Sequence, residues 1–129
     1  MIVVDSAALV DALTGVDGSD QLRAELRPEE LHAPAPLDYE VVSALRGLVR
    51  GGKLDPARAE DVVADFGDLR LRRWPAADPL RRRAFQLRDV ISAYDAAYVA
   101  LAEALDCTLV TRDAKLASAT GHGARVVVR

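Results

Sequence analysis

Four carboxylates stand where a parallel α/β chain would gather them. Asp5 ends the apolar run Ile2-Val3-Val4, and Asp113 follows Leu109-Val110-Thr111 by two residues. Glu40 and Asp95 fall in the first turns of two expected helices. In parallel sheets the strand exits and the starts of the helices share one edge, and functional crevices lie there. Acids held together raise one another's pKa, and a divalent cation removes that repulsion. An all-oxygen set without Cys or His clusters favours Mg²⁺ or Mn²⁺ over Zn²⁺. Such a centre suits hydrolysis of a phosphate ester by metal-activated water. Each acid also has an ordinary structural reading: Asp5 as a helix cap, Glu40 as a partner of a helix dipole, and Ser92 to Asp95 as a capping box.

The elements that must position these acids are legible in the hydrophobic pattern. Ile2 to Val4 is apolar without alternation, which suits a strand covered on both faces. Residues 6–13 predict a short helix with Asp11 as its main polar face. Asp17-Gly18-Ser19-Asp20 reads as a turn, with Ser19 or Asp20 capping a helix to about Arg27. Residues 31–34 predict a short strand bounded by Pro34 and Pro36. His32 within it receives no functional role. Leu37, Val41, Ala44, Leu45 and Leu48 make one helical stripe over 37–50, stopped by Gly51-Gly52.

Asp55-Pro56 opens the next helix, to about Leu69, with Ala59, Val62, Val63 and Phe66 facing inward. Residues 69–74 alternate apolar and basic, as an edge strand does. Asp78-Pro79 repeats the cap-plus-proline signal for a helix to about Arg88. A helix from Ser92 to about Leu105 is rich in alanine and suits tight packing, including Ala102 and Ala104. Residues 108–111 are a buried strand, followed by a short helical piece through Ala117 and a last strand at 125–128. Strands alternating with helices predict an α/β fold with a mainly parallel central sheet flanked by helices, as a single domain over 1–129.

Composition bounds the function. Half of the 129 residues are hydrophobic and 29% are charged, an ordinary globular mix. Cys107 has no partner for an internal disulfide, which suits a reducing cytoplasmic setting and a buried small hydrophobe. No stretch is long and apolar enough for a membrane span, and Met1 leads into a strand with no signal-like leader, so no membrane partner is expected. The formal charge of −3 argues mildly against a nucleic-acid partner, but residues 70–88 carry seven arginines against the single acid Asp78. Those arginines read either as solvated edges or as a phosphate-binding face. No Walker loop, G-x-G-x-x-G or G-x-S-x-G elbow is present.

Several segments carry a resemblance. Ile2-Val3-Val4-Asp5-Ser6-Ala7, Glu40 early in its helix, Tyr94-Asp95-Ala96-Ala97-Tyr98, and Thr111-Arg112-Asp113 resemble the PIN-domain ribonucleases, and more narrowly the VapC toxins of bacterial toxin–antitoxin pairs. The first segment is weak alone, whereas the last two are more specific. The resemblance covers the chain in length and order. It implies a PIN domain over 1–129 and a catalytic, metal-holding set of Asp5, Glu40, Asp95 and Asp113. Ser6 and Thr111 would be supporting residues. It also implies an RNA substrate, Mg²⁺ or Mn²⁺, a cognate antitoxin that blocks the site, and a homodimer. Arg112 and Lys115, with some of the 70–88 arginines, would guide the RNA backbone. Ala114, Lys115 and Leu116 lack the further acid that some relatives carry, so one metal is expected more firmly than two.

Two other readings compete. A catalytically silent PIN-like module would bind RNA or protein without cutting, but such a module would be expected to lose some of the four acids. Another Mg²⁺-dependent phosphotransfer fold is the second. An aspartyl phosphatase would want an acid at position 7, where Ala7 stands, and Lys115 is poorly placed for a receiver domain.

Overall fold

A computed structural model describes residues 1–16 and 18–129. The β-branched run forms β1 (Ile2–Val4), all of it buried. It is the middle strand of a five-stranded sheet with spatial order β3-β2-β1-β4-β5. The other strands are β2 (Leu31–Pro34), β3 (Leu71–Trp74), β4 (Thr108–Thr111) and β5 (Val126–Val128). Every pairing is parallel, with Ile2 opposite Leu31 on one side and Thr108 on the other. The chain therefore lays strands outward from β1 in one direction, then returns to place β4 on its other side. That reversal makes a switch point between β1 and β4, with a crevice beyond their carboxyl ends.

Seven helices complete the described chain: α1 (Ser6–Thr14), α2 (Asp20–Leu26), α3 (Leu37–Arg50), α4 (Pro56–Asp68), α5 (Asp78–Gln86), α6 (Ala93–Leu105) and α7 (Ala114–Ser118). The core is aliphatic. Val3, Val4, Ala33, Val99 and Leu109 of the sheet and α6 are fully enclosed. The α3 stripe buries Leu37, Val41 and Leu45, with Ala44 and Leu48 at its margin. Burying each such side chain contributes about 1.5–3 kcal/mol. Gly15 ends α1 at φ 70°, a left-handed turn that glycine adopts without the clash a Cβ brings. No helix of the described residues is long and apolar enough to cross a membrane.

Local expectations meet the structure with a few corrections. Asp55 caps α4 by accepting from the Ala57 N–H, as expected. The α5 cap differs: Ala77 holds that position, and Asp78, inside the helix, accepts from Arg81 and Arg82 instead. Proline at the second helical position shifts the start by one residue. Val63 is 46% exposed rather than inward, because the stripe Ala59, Val62 and Phe66 already fills the buried face of α4. Ala104 is exposed. The turn expected at Asp17 to Asp20 begins at a position outside the described residues; Ser19 does stand at the cap of α2, although its side chain makes no capping bond. His32 is structural: its buried ring accepts from the Trp74 indole through Nδ1 (2.9 Å) and contacts Glu30 through Nε2 (2.6 Å), joining β2 to β3.

Candidate active site

All four acids lie toward the carboxyl edge of the sheet, each for a local reason. Asp5 directly follows β1, and Asp113 follows β4. Glu40 sits in the first turn of α3, which begins just after β2 ends. Asp95 sits in the first turn of α6, the helix that leads back into β4. Parallel crossovers put these points on one edge.

Asp5 is buried, 7% exposed, and tightly held. Its Oδ1 accepts from the Ala8 N–H at 2.8 Å, so it is both the α1 cap and a candidate ligand. Its Oδ2 accepts a short hydrogen bond from the Thr111 hydroxyl. That hydroxyl oxygen in turn accepts from the Asp113 N–H at 2.9 Å. A continuous chain thus runs from the exit of β4 to the exit of β1, across the switch point. Thr111 is fully buried.

Glu40 is fixed from below. Its Oε1 accepts from the Tyr98 hydroxyl at 2.6 Å, one α6 turn beyond Asp95. Tyr98 is only 2% exposed. Burial, then the Glu40 carboxylate, raises its hydroxyl pKa well above the ordinary range, and Ser6 opposes this with a hydrogen bond. The phenol is therefore a permanent donor. Tyr98 escaped the sequence reading as a site residue because an aromatic at helical spacing among alanines reads as core. The available signals were its place in the Tyr94 to Tyr98 segment that carries the resemblance and its position three residues after Asp95.

The electrostatics are those of gathered acids. Burial pushes Asp5 up, the Asp95 and Asp113 charges push it further, and the Thr111 and Ala8 hydrogen bonds oppose both. Burial, then Asp113, raises Asp95, opposed by Ser92. Ser92 accepts from the Asp95 N–H at 3.2 Å, one half of the expected capping box. Asp95 itself lines the cleft.

A cleft of about 490 Å³ joins Asp95 and Asp113 to Ser92 and Lys115. Asp113 Oδ1 accepts from the Lys115 N–H and caps α7. As the side chains stand, no three acids among the described residues form a ready cation cage. Several oxygen donors with room for water still fit Mg²⁺, which keeps much of its hydration shell and takes one or two carboxylates directly.

Some of the flanking cations are engaged and some are not. Arg112 pairs with Asp11 of α1 at 2.9 Å. Arg73 grips Asp38 with both carboxylate oxygens within 2.9 Å, and Arg83 grips Glu103. Lys115, Arg70, Arg72 and Arg88 make no ion pair among the described residues.

The PIN domain model matches residues 2–121. Ribonuclease VapC12 of Mycobacterium tuberculosis is 40% identical over 126 residues, 98% of this chain and 97% of its own. The crystal structure of M. tuberculosis VapC20, described as a sarcin–ricin loop cleaving toxin, superposes with a TM-score of 0.69 at 16% identity, covering 92% of this chain and 94% of its own. A toxin–antitoxin complex from Klebsiella pneumoniae superposes with a TM-score of 0.59 at 15% identity, covering 89% and 88%. By that match and that identity the chain belongs to the PIN-domain family and stands within it among the VapC proteins.

Proposed function

We propose that this protein is a metal-dependent endoribonuclease, the toxin of a toxin–antitoxin pair, with its catalytic centre at Asp5, Glu40, Asp95 and Asp113. The observation that carries this reading is the placement of four carboxylates along the carboxyl edge of the sheet, with the Asp95 and Asp113 charges acting on Asp5 and the pKa values of Asp5 and Asp95 raised by burial and by these neighbours. Relatives named ribonucleases at about 40% identity over nearly the whole chain support the activity. Likeness to a toxin–antitoxin complex supports an antitoxin partner.

Asp5, Asp95 and Asp113 would hold Mg²⁺ or Mn²⁺, with Glu40 direct or through water. Held there, such an ion would activate a water for in-line attack on phosphorus and offset the charge of the leaving oxygen. The protein's part is to hold the donors. Thr111 fixes one oxygen of Asp5 while the Asp113 N–H fixes Thr111. Tyr98 fixes one oxygen of Glu40 and leaves the other free. Cleavage leaves a 5′-phosphate and a 3′-hydroxyl. Lys115 borders the cleft and suits a phosphate contact. Arg112, paired with Asp11, contributes positive potential more than a free guanidinium. The presence of all four acids weighs against the silent binding module. Homodimerisation belongs to the same reading, as does action in the cytoplasm.

The test is cleavage of total RNA by purified, partner-free protein with Mg²⁺, with Mn²⁺ and with chelator, beside Asp5→Asn. Discrete metal-dependent fragments that vanish in the variant are expected. Fragments that persist in chelator or in the variant would refute the site. An inactive protein that also binds no Mn²⁺ by titration would leave the silent module as the better reading.

A further inference from the structure

Next to the acidic cleft lies a groove of about 460 Å³ that none of the four acids lines. It runs from the end of β2 across α5 to the start of α6. Pro34, Pro36, Leu80 and Ile91 give it apolar walls. Phe85 and Tyr94 stand on it as residues 67% and 64% exposed. Folded domains normally bury most of such rings. The groove shares Ile91 and Ser92 with the cleft, and Tyr94 immediately precedes Asp95, so the two adjoin.

We propose that this groove is a stacking subsite for an unpaired base of the RNA, with Phe85 and Tyr94 as its platform. The inference rests on the nuclease reading above and adds what receives the strand beside the cut. Three features favour a nucleotide. Unstacked bases are held by aromatic rings and by guanidinium planes. Arg88 lies over Phe85, 4.5 Å from the ring centroid, and no carboxylate partners it among the described residues. Its charge is thus available to a phosphate at the groove's rim. The third feature is adjacency: a base in the groove would lie beside the cleft that Asp95 and Asp113 line. Because the walls offer few polar groups to read base edges, the subsite tolerates base identity and favours purines for their larger faces.

The experiment measures binding, so that it stands apart from catalysis. The probes are fluorescein-labelled single strands of about 12 nucleotides, within the usual footprint of such sites. One is oligoadenylate and the other an abasic strand of equal charge. Each is titrated at several salt concentrations into Asp5→Asn protein and into the same protein carrying Phe85→Ala, Tyr94→Ala or Arg88→Gln. Both rings are exposed, so the folds should survive, and circular dichroism checks this. Loss of either ring should weaken oligoadenylate binding about ten-fold and leave abasic binding unchanged. Arg88→Gln should weaken both probes and flatten the salt dependence.

Equal oligoadenylate binding in all three proteins with and without the rings would overturn the subsite, whatever cleavage assays show. Ring variants that keep RNA binding but no longer bind the antitoxin would assign the groove to a peptide and overturn it too. Ring-dependent binding in a protein that neither cleaves RNA nor binds Mn²⁺ would instead sink the nuclease reading and keep the subsite.

Discussion

Thr111→Val tests whether the hydrogen-bond chain across the switch point holds the site together. Valine matches threonine in shape, so no cavity opens; only the hydroxyl is lost. That hydroxyl donates to Asp5 Oδ2 and accepts from the Asp113 N–H, and the residue is fully buried. A hydrogen bond to a charged group contributes about 1.5–3 kcal/mol, and an orphaned amide costs about 1–3 kcal/mol. Asp113 is only half-buried, so water recovers part of the second cost. The sum is roughly 2–4 kcal/mol, about 10 °C in Tm for a domain of this size.

The loss should depend on pH in a set direction. Burial first, then Asp95 and Asp113, raises the Asp5 pKa above its ordinary 3.8, and the Thr111 bond opposes that rise. A carboxyl raised on folding contributes stability that is fully present below its unfolded pKa and lost as pH rises through its folded pKa. Removing Thr111 lifts the folded value further. Thr111→Val should therefore cost more near neutral pH than below about pH 4. The assay is urea unfolding in chelator across pH, with Thr111→Ser as the control that keeps the hydroxyl. A valine variant within about 0.5 kcal/mol of the parent at neutral pH would refute the reasoning. So would a serine variant as damaged as the valine one.

Two further outcomes follow from the geometry. Tyr98→Phe removes the donor to Glu40 and should cost about 1–2 kcal/mol of stability. It should also lower kcat with little change in KM, and add nothing further in a Glu40→Gln background; an additive double variant in cleavage kinetics would show that Tyr98 does not act through Glu40. Arg83→Ala removes the guanidinium that joins Glu103 to the Gly121 carbonyl, at a cost of about 1–2 kcal/mol because both side chains are partly solvated. Arg83 holds the Glu103 pKa below its ordinary 4.5, so this contribution is present above that value and lost as pH falls through the folded one. An acid unfolding limb unchanged in the variant would contradict the assignment.

How far the sequence reached depended on how local each cause was. Strand β1 and the α3 stripe were legible because apolar spacing alone dictates them. Asp55 was legible because cap chemistry acts within a few residues. The α5 cap was misread by one position, since two neighbouring residues can each satisfy a helix start and only packing chooses between them. Val63 was misread because helical spacing does not say how wide the buried face is.

The four acids were named from the sequence because strand exits and helix starts are local features. What held them was not visible there. The Thr111 to Asp5 bond spans 106 positions, and the Tyr98 to Glu40 bond spans 58. The pairing of Arg112 with Asp11 likewise joins separate elements. Sequence by itself determined which chemistry the chain could carry, since residue type and local pattern fix charge and element. Tertiary structure alone decided which polar groups meet, because the strand order that brings β4 beside β1 is a property of the whole packed sheet.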